Sequence, residues 1–257
     1  MKTINNLKFS TGEIYNGQVK EDFAEGKGKL EYPNGDYYQG DFKNGKKSGT
    51  GVYYFKASNE KFEGTFENDC FVEGKYTFKD GKVFEGKFKE DMISAGKMTY
   101  KNKDVFEGEF KNGKKEGKGT YSYANKDKYE GYFKNDMFLD KKGKYTFNDG
   151  RIYEGEFKDD KIEGKGTLTF KNGDFYIGQF VDGKMQGEGK YIFKSGDKFV
   201  GNFVCGKFEG HGKYMWKMGE CYEGEFKEGK FHGKGKMYKS DKNLDFEGIW
   251  KNGELKK

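Results

Sequence analysis

Aromatic residues and glycines alternate with polar residues in two short runs that recur along the whole chain. In the segment Tyr153–Phe175, with the opening aromatic counted as position 0, apolar residues or glycines stand at positions 0, 2 and 4 and again at positions 13, 15 and 17. A period of two is typical of a strand that buries one face, whereas a helix spaces its apolar residues by three or four. Each such segment therefore predicts two strands.

The residues that separate the two runs favour a tight turn. Glycine, asparagine and aspartate tolerate the positive φ that the central residues of a short hairpin turn require. Pairs that end in glycine separate the runs in several copies: Asn44-Gly45, Asn112-Gly113, Asp182-Gly183 and Glu228-Gly229. Each copy is therefore predicted to form a β-hairpin.

Counting back from the turn predicts the register of the hairpin. If position 4 pairs with position 13, Phe157 lies opposite Gly166 and Gly155 lies opposite Leu168. Glycine weakens a strand, so its regular use there needs a reason, and the close approach of an aromatic ring from the partner strand supplies one. We expect the stacked copies to form ladders of rings and glycines along one face.

The copies follow one another at a spacing of 22 to 24 residues without a linker. They begin at residues 15, 38, 62, 84, 106, 129, 153, 176, 199 and 222, with a partial copy at 246. Residues 1–14 resemble half of a repeat that caps the array of residues 15–257. A fixed period of this length indicates a repeat array rather than separate globular domains. The predicted fold is all-β: an elongated single-layer antiparallel sheet or solenoid of about ten to eleven stacked β-hairpins.

Composition supports this prediction and excludes several classes of protein. Only 33% of residues are hydrophobic, 41 are glycine, and no stretch has apolar residues at helical spacing, so we expect no helix. Three cysteines without a C-x-x-C pair argue against a disulfide framework. No run has the apolar length of a signal core or a bilayer span, which predicts a cytoplasmic or peripherally bound protein.

Charge and reactive residues indicate binding rather than catalysis. The formal net charge is +6 with both signs interspersed, whereas a nucleic-acid surface clusters its basic residues. His211 and His232 are the only histidines and have no partners at metal-ligand spacing. The stretch Gly26-Lys27-Gly28 is similar to a phosphate-binding loop, but it opens a strand rather than a helix. We therefore predict no enzyme activity, no metal, no cofactor and no nucleic-acid partner.

The pattern Tyr-x-Gly-x-Phe, followed by Gly-x-Gly and a further glycine, resembles the MORN repeat (membrane occupation and recognition nexus). It covers residues 15–253 and recurs ten times with a partial eleventh copy. The resemblance implies a curved antiparallel single-layer sheet that serves as an interaction module. Similar arrays occur in cytoskeletal and ciliary scaffolds, in junctional membrane tethers, and fused to lipid kinases or methyltransferases. We expect no fused catalytic domain here, and a scaffold or adaptor of a cytoskeletal assembly, such as a cilium or axoneme, is the leading interpretation.

Two copies depart from the charge pattern of the others. Most copies carry glutamate at position 1 and lysine at position 5, whereas the copies that begin at Tyr176 and Phe199 carry apolar residues there and at position 16. We expect these six residues to form one apolar patch that binds a protein partner, because exposed apolar surface marks interfaces. The residues are Ile177, Val181, Ile192, Val200, Val204 and Met215.

Lysines suggest an alternative function. By the register above, positions 5 and 12 lie side by side near the turn. Three copies place six lysines at these positions, or one residue later in the case of Lys142: Lys111, Lys118, Lys134, Lys142, Lys158 and Lys165. Such a margin could hold anionic lipid headgroups and make the chain a peripheral membrane adaptor, or it could simply discourage edge pairing. The aromatic face and the edge at Phe246–Trp250 are candidates for self-association.

Overall fold

The computed structural model describes residues 1–139 and 142–256, and every regular element within these ranges is a β-strand. The described residues contain no helix with the length and apolar character needed to cross a bilayer. The chain divides into two compact units. The first comprises Met1–Ala124 with Lys134–Asp136, and the second comprises the described residues of Asn125–Phe133 and Met137–Lys257.

The first unit contains eleven of the described strands, which follow the predicted hairpins. They are β1 (Lys2–Lys8), β2 (Ile14–Lys20), β3 (Phe23–Glu31), β4 (Tyr37–Lys43), β5 (Lys46–Phe55), β6 (Glu60–Glu67), β7 (Cys70–Thr77), β8 (Val83–Lys89), β9 (Met92–Thr99), β10 (Val105–Lys111) and β11 (Lys114–Ser122). Each strand pairs antiparallel with the next one in sequence, as β4 does with β5 and β5 with β6.

The second unit contains the remaining described strands, except that Lys134 at the end of β12 groups with the first unit. They are β12 (Lys128–Lys134), β13 (Met137–Phe138), β14 (Gly143–Thr146), β15 (Ile152–Lys158), β16 (Lys161–Thr169), β17 (Phe175–Val181), β18 (Lys184–Ile192), β19 (Lys198–Val204), β20 (Lys207–Met215), β21 (Cys221–Lys227), β22 (Lys230–Tyr238), β23 (Leu244–Lys251) and β24 (Glu254–Lys256). Within each unit the strands form a single antiparallel layer, which confirms the predicted fold class.

The hairpin turns have the predicted chemistry. Asn44 and Gly45 adopt φ values of 48° and 78°, and Asp182 and Gly183 adopt 46° and 73°. These left-handed values belong to the two-residue turn whose twist matches that of the flanking strands. The prediction that each copy folds as a hairpin is confirmed by these turns and by the pairing of the strands that they join.

The predicted register was wrong. Gly155 lies opposite Gly166, not opposite Leu168, and Phe157 lies opposite Ile162. The register shifts between Gly155 and Phe157, because Gly164 adopts a φ of 71° and adds a bulge to the second strand. Counting evenly from the turn misses this bulge and places the second strand incorrectly.

As a result, glycine pairs with glycine throughout each unit. The glycine row of the first unit is Gly17, Gly28, Gly40, Gly51, Gly64, Gly74, Gly86, Gly96, Gly108 and Gly119. The glycine row of the second unit is Gly143, Gly155, Gly166, Gly178, Gly189, Gly201, Gly212, Gly224, Gly235 and Gly248. The reason lies in the aromatic at position 0, whose ring folds over both glycines of its hairpin. A Cβ added to Gly212 would lie 2.6 Å from the Phe199 ring.

The core is the face of the sheet on which these rings lie, here called the aromatic face. The aromatics at positions 0 and 4 are buried in nearly every copy. Their rings meet edge to face within a copy and between copies: Tyr153 lies 5.3 Å from Phe157 and 4.9 Å from Phe180 of the next hairpin. This geometry is favourable for aromatic pairs, so a chain with little aliphatic mass can still build a continuous core.

Candidate interaction surfaces

The face opposite the rings, here called the outward face, carries the residues predicted to form the apolar patch. Ile177, Val181, Val200 and Val204 retain between 43% and 48% of their accessible surface, although each is apolar and β-branched. Ile192 and Met215 are half-buried. All six lie on β17 to β20 of the second unit and alternate with residues of the aromatic face.

The structure separates these six residues more than the sequence suggested. Lys190 lies between Ile177 and Val200, since it pairs with both across the sheet. Lys198 separates Ile192 from Met215 in the same way. Val181 and Val204 each face a lysine across their own turn. The apolar patch is therefore a set of apolar side chains interleaved with ammonium groups.

The six predicted lysines are all exposed, but their arrangement differs from the prediction. Lys111, Lys118 and Lys134 belong to the first unit, and Lys142, Lys158 and Lys165 belong to the second.

Position 12 does not lie beside position 5. Lys165 pairs with Gln179 of the next hairpin, while Lys158 pairs with Lys161 at position 8. The same pairing joins Lys111 to Lys114. Sequence reasoning missed the lysines at position 8, although they recur in most copies and lie directly after the turn.

Position 9 is a second feature that sequence reasoning missed. In four copies it is a phenylalanine that stacks on the ring at position 0 of its own hairpin, as Phe208 does on Phe199 at 3.9 Å and 12°. In two copies it is a lysine: Lys47 lies 5.0 Å from the centre of the Tyr53 ring, and Lys115 lies 4.9 Å from that of Tyr121. The regular recurrence of phenylalanine nine residues after the opening aromatic could have revealed this position.

A third feature links neighbouring copies. An acidic residue near the end of one copy accepts a hydrogen bond from the tyrosine hydroxyl of the next and from a backbone N–H about 20 residues ahead. Asp174, for example, accepts from the Tyr191 hydroxyl at 2.8 Å and from Lys194 N at 2.8 Å. We call each such arrangement a tyrosine-acid pair. Burial opposes ionisation of Asp174, but these hydrogen bonds outweigh it and hold its pKa below the usual value.

Burial also perturbs tyrosines and one lysine on the aromatic face. It raises the pKa of Tyr176 and Tyr222 to about 12 and lowers that of Lys47, against the opposing field of Asp69 and Asp91. These shifts follow from removing the charged form from water.

The described residues hold no group of three or more histidine, cysteine or acidic side chains arranged to bind a metal ion. His211 and His232 both pair with Glu225 across the outward face.

Comparisons with known proteins agree with the repeat pattern. The sequence profile of the MORN repeat matches residues 15–37, 38–59, 62–83, 106–128, 153–175, 176–198, 199–221 and 222–243. Alsin from Rattus norvegicus and Alsin from Homo sapiens are each 37% identical to the chain over 82 residues, which is 30% of this chain. The chain spans about 5% of the length of these relatives.

Solved structures show only a distant likeness. The TCP domain of SAS-4 from Drosophila melanogaster is 17% identical, with a TM-score of 0.38 over 63% of this chain and 81% of that domain. A TCP10 domain of CPAP from Danio rerio is 10% identical, with a TM-score of 0.32 over 97% of this chain and 100% of that domain. The profile matches cover most of the chain, and the hairpins, glycine rows and buried rings recur at the same period. The chain therefore belongs to the MORN repeat family.

Proposed function

We propose that this chain is a non-enzymatic scaffold that binds a protein partner through the apolar patch, within a cytoplasmic, cytoskeletal assembly such as a cilium or axoneme. The exposure of four β-branched side chains on two adjacent hairpins carries the proposal. Equivalent positions in most other copies hold charged residues, which need no cover. Apolar side chains that interrupt a charged surface are typical of a binding surface.

The lysines of the patch indicate what the partner presents. Lys190 and Lys198 stand between apolar side chains, so a partner that covers Ile177 and Val200 must also accommodate their ammonium groups. An acidic residue beside an apolar one would do so, because it replaces the water lost by the ammonium with a charge-assisted hydrogen bond. The partner surface is therefore apolar with acidic residues at its centre.

The test compares captured proteins between variants that differ only in the outward face. Val181→Asp with Val204→Asp should remove the partner, because it places two carboxylates where apolar groups dock. Lys43→Asp with Lys89→Asp is the matched control, since these residues occupy position 5 in other copies. Quantitative mass spectrometry of affinity-purified complexes would read the outcome, and circular dichroism would show that each variant is folded. Capture of the same proteins by the first variant and the wild type would refute the proposal.

A second candidate function is supported by the lysine pairs at the turns. Lys111 faces Lys114, and Lys158 faces Lys161, so each of these hairpin ends carries two lysines. The Lys161 ammonium also pairs with Asp182 of the next hairpin at 2.8 Å. Each lysine near an anionic membrane contributes about 1 kcal/mol to binding. A peripheral membrane adaptor would sediment with phosphatidylserine vesicles, and sedimentation would decrease as salt rises. Vesicle binding that survives replacement of these four lysines by glutamine would argue against this function.

A further inference from the structure

The array has a longer period than one repeat. Tyrosine-acid pairs join the copies through Glu60, Asp104, Asp127, Asp174 and Asp197. Asp36 occupies the equivalent position and accepts the corresponding backbone bond from Lys56 N. Every third junction lacks the pair. Lys82, Arg151 and Glu220 stand at the position of the acid, and Met98, Leu168 and Met237 stand at the position of the tyrosine. Positions 82, 151 and 220 are 69 residues apart, and Glu220 keeps the acid, whereas the tyrosine is absent at all three junctions. The structural unit is therefore a block of three repeats, with one junction per block that lacks the tyrosine.

In the first unit this altered junction opens into a cavity on the aromatic face, here called the aromatic cavity. Its volume is about 720 Å³, and its apolar walls include Tyr53, Phe55, Phe71, Tyr76, Phe78 and Met98. Five of its aromatic walls are only half-buried, whereas the sixth, Phe88 at position 4, is buried. The cavity is thus an accessible, ring-lined space on the aromatic face of the first unit.

The aromatic walls recur from one hairpin to the next at a spacing close to one turn of a polyproline II helix. Tyr53 and Tyr76 occupy equivalent positions on neighbouring hairpins, as do Phe55 and Phe78. Neighbouring hairpins are two strands apart, or about 9.6 Å. A polyproline II helix advances about 9.3 Å in its three-residue turn. A peptide in this conformation that crosses the strands would present the same side of its helix to each pair of rings.

Charged groups at the rim define the ligand further. Asp69 and Asp91 lie on the turns of successive hairpins, and both are exposed. Each accepts one backbone hydrogen bond, from Lys47 N at 2.8 Å and from Phe71 N at 2.7 Å. The cations of the cavity have partners within the chain. Lys47 lies over the Tyr53 ring and within the field of both rim carboxylates. Lys82 lies 4.6 Å from the centre of the Phe78 ring, and its ammonium lies 3.2 Å from an Asp80 carboxylate oxygen. The rim therefore offers two carboxylates, one repeat apart.

We infer that the aromatic cavity binds a proline-rich segment of a partner protein in the polyproline II conformation, with basic residues at three-residue spacing that pair with Asp69 and Asp91. Aromatic-lined grooves recognise this conformation because its backbone is ordered before binding, so that little entropy is lost. The cavity belongs to the first unit and the apolar patch to the second, so the inference does not depend on the patch.

The second unit contains a natural comparison. At the equivalent positions it keeps the rings, with Tyr214 for Tyr76 and Trp216 for Phe78. It replaces both carboxylates by glycine, Gly206 and Gly229, and Lys47 by Met185. The rings are thus present at equivalent positions in both units. The two carboxylates that would select a basic ligand, Asp69 and Asp91, are present only at the positions of the first unit.

The first experiment measures binding of fluorescent twelve-residue peptides to the full chain by anisotropy. One peptide consists of four Pro-Pro-Lys triplets, and a second replaces each lysine by glutamine. A third consists of Ala-Ala-Lys triplets, which have the same charge but favour a helix. We expect the first peptide to bind about tenfold more tightly than the second, since each exposed ion pair contributes a factor of a few. Equal binding of the third peptide would overturn the proposal, because it would mean that charge or a helix, rather than polyproline II, is recognised.

Two variants locate the site. Asp69→Asn with Asp91→Asn keeps an oxygen for each backbone hydrogen bond and should remove the preference for lysine over glutamine. Lys82→Asp with Met98→Tyr restores a tyrosine-acid pair at the altered junction and should fill the cavity, weakening both proline-rich peptides at least tenfold. Met237→Tyr makes the corresponding change beside Glu220 in the second unit and should leave binding unchanged. Unaltered binding by the Lys82→Asp/Met98→Tyr variant, with its fold confirmed by circular dichroism, would refute the site.

Discussion

Replacing a glycine of the glycine row tests whether ring contact explains these residues. Gly212 has an ordinary backbone conformation, so alanine introduces no φ strain there. Its Cβ would lie 2.6 Å from both Cε2 and Cζ of Phe199, where carbon atoms normally approach to about 3.5 Å. The Phe199 ring would have to move by about 1 Å. Phe208 stacks on it at 3.9 Å and Phe226 meets its edge at 4.8 Å, so it has no free space on either side.

The size of the effect follows from this packing. Forcing an extra carbon into a filled core costs about 1 to 3 kcal/mol, and the rigid stack around Phe199 places Gly212→Ala near the upper end. Gly183→Ala is the control, because no atom lies within 4 Å of its Cβ and only its φ of 73° opposes the change. That strain costs about 1 to 2 kcal/mol. We therefore expect Gly212→Ala to be the more destabilising by about 1 kcal/mol or more.

Urea unfolding followed by circular dichroism would measure the two free energies of unfolding. Hydrogen exchange would show whether the loss is local to β19–β21, as expected when each repeat contacts mainly its neighbours. A double-mutant cycle with Phe199→Leu isolates the ring contact, since the cost of Gly212→Ala should decrease when the ring is absent. Equal costs for Gly212→Ala and Gly183→Ala, together with no coupling to Phe199→Leu, would refute the role of the rings.

Three further predictions concern the tyrosine-acid pairs and the buried tyrosines. Asp174→Ala removes the acceptor of the hydrogen bonds from the Tyr191 hydroxyl and from Lys194 N. We therefore expect the free energy of unfolding, measured in urea, to decrease by about 1 to 3 kcal/mol. The same substitution of an exposed acid such as Glu188 is the control and should cause no measurable decrease. Because the pKa of Asp174 is lowered in the folded state, its contribution is complete above the unfolded pKa of about 3.9 and is lost as the pH falls through the folded value. An unfolding free energy of Asp174→Ala that tracks the wild type between pH 7 and pH 3 would contradict this. The pKa of Tyr176 is raised to about 12, so its effect on stability has the opposite pH dependence. Its contribution to the free energy of unfolding is complete below about pH 10 and is lost as the pH rises toward 12. Tyrosinate absorbance and circular dichroism, recorded together at increasing pH, would check this.

The sequence was sufficient to predict the hairpins and the single layer. Alternation at period two, turn pairs such as Asn44-Gly45 and the fixed spacing of the copies all indicated the same structure. Such agreement between local propensity, turn chemistry and repeat period is what makes a fold predictable. The chain also contains nothing that competes, because it has no apolar run at helical spacing and a single proline.

The register and the surfaces could not be derived in the same way. A bulge at Gly164 shifts the second strand, and its glycine is indistinguishable in sequence from the glycines of the turn and of the glycine row. Only the fold shows that Gly166 needs space for the Tyr153 ring while Gly164 needs a positive φ. The interleaving of Lys190 with Ile177 and Val200 likewise depends on which strands are neighbours and in which register.

Comparison of the copies within the chain separates architecture from recognition. The rings at position 0 and the glycines beneath them recur in every full copy, because a ring without its glycine clashes and a glycine without its ring leaves a gap. Side chains on the outward face and at the rim of the aromatic cavity are under no such constraint, and the copies differ at these places. On the outward face, valine replaces lysine at Val181 and Val204. At positions equivalent to the rim, glycine replaces aspartate at Gly206 and Gly229. An array in which every outward and rim residue is reset to the commonest residue of its position should therefore fold as this chain does. If such an array still bound the partners of the natural chain, recognition would have to reside in the repeated rings themselves.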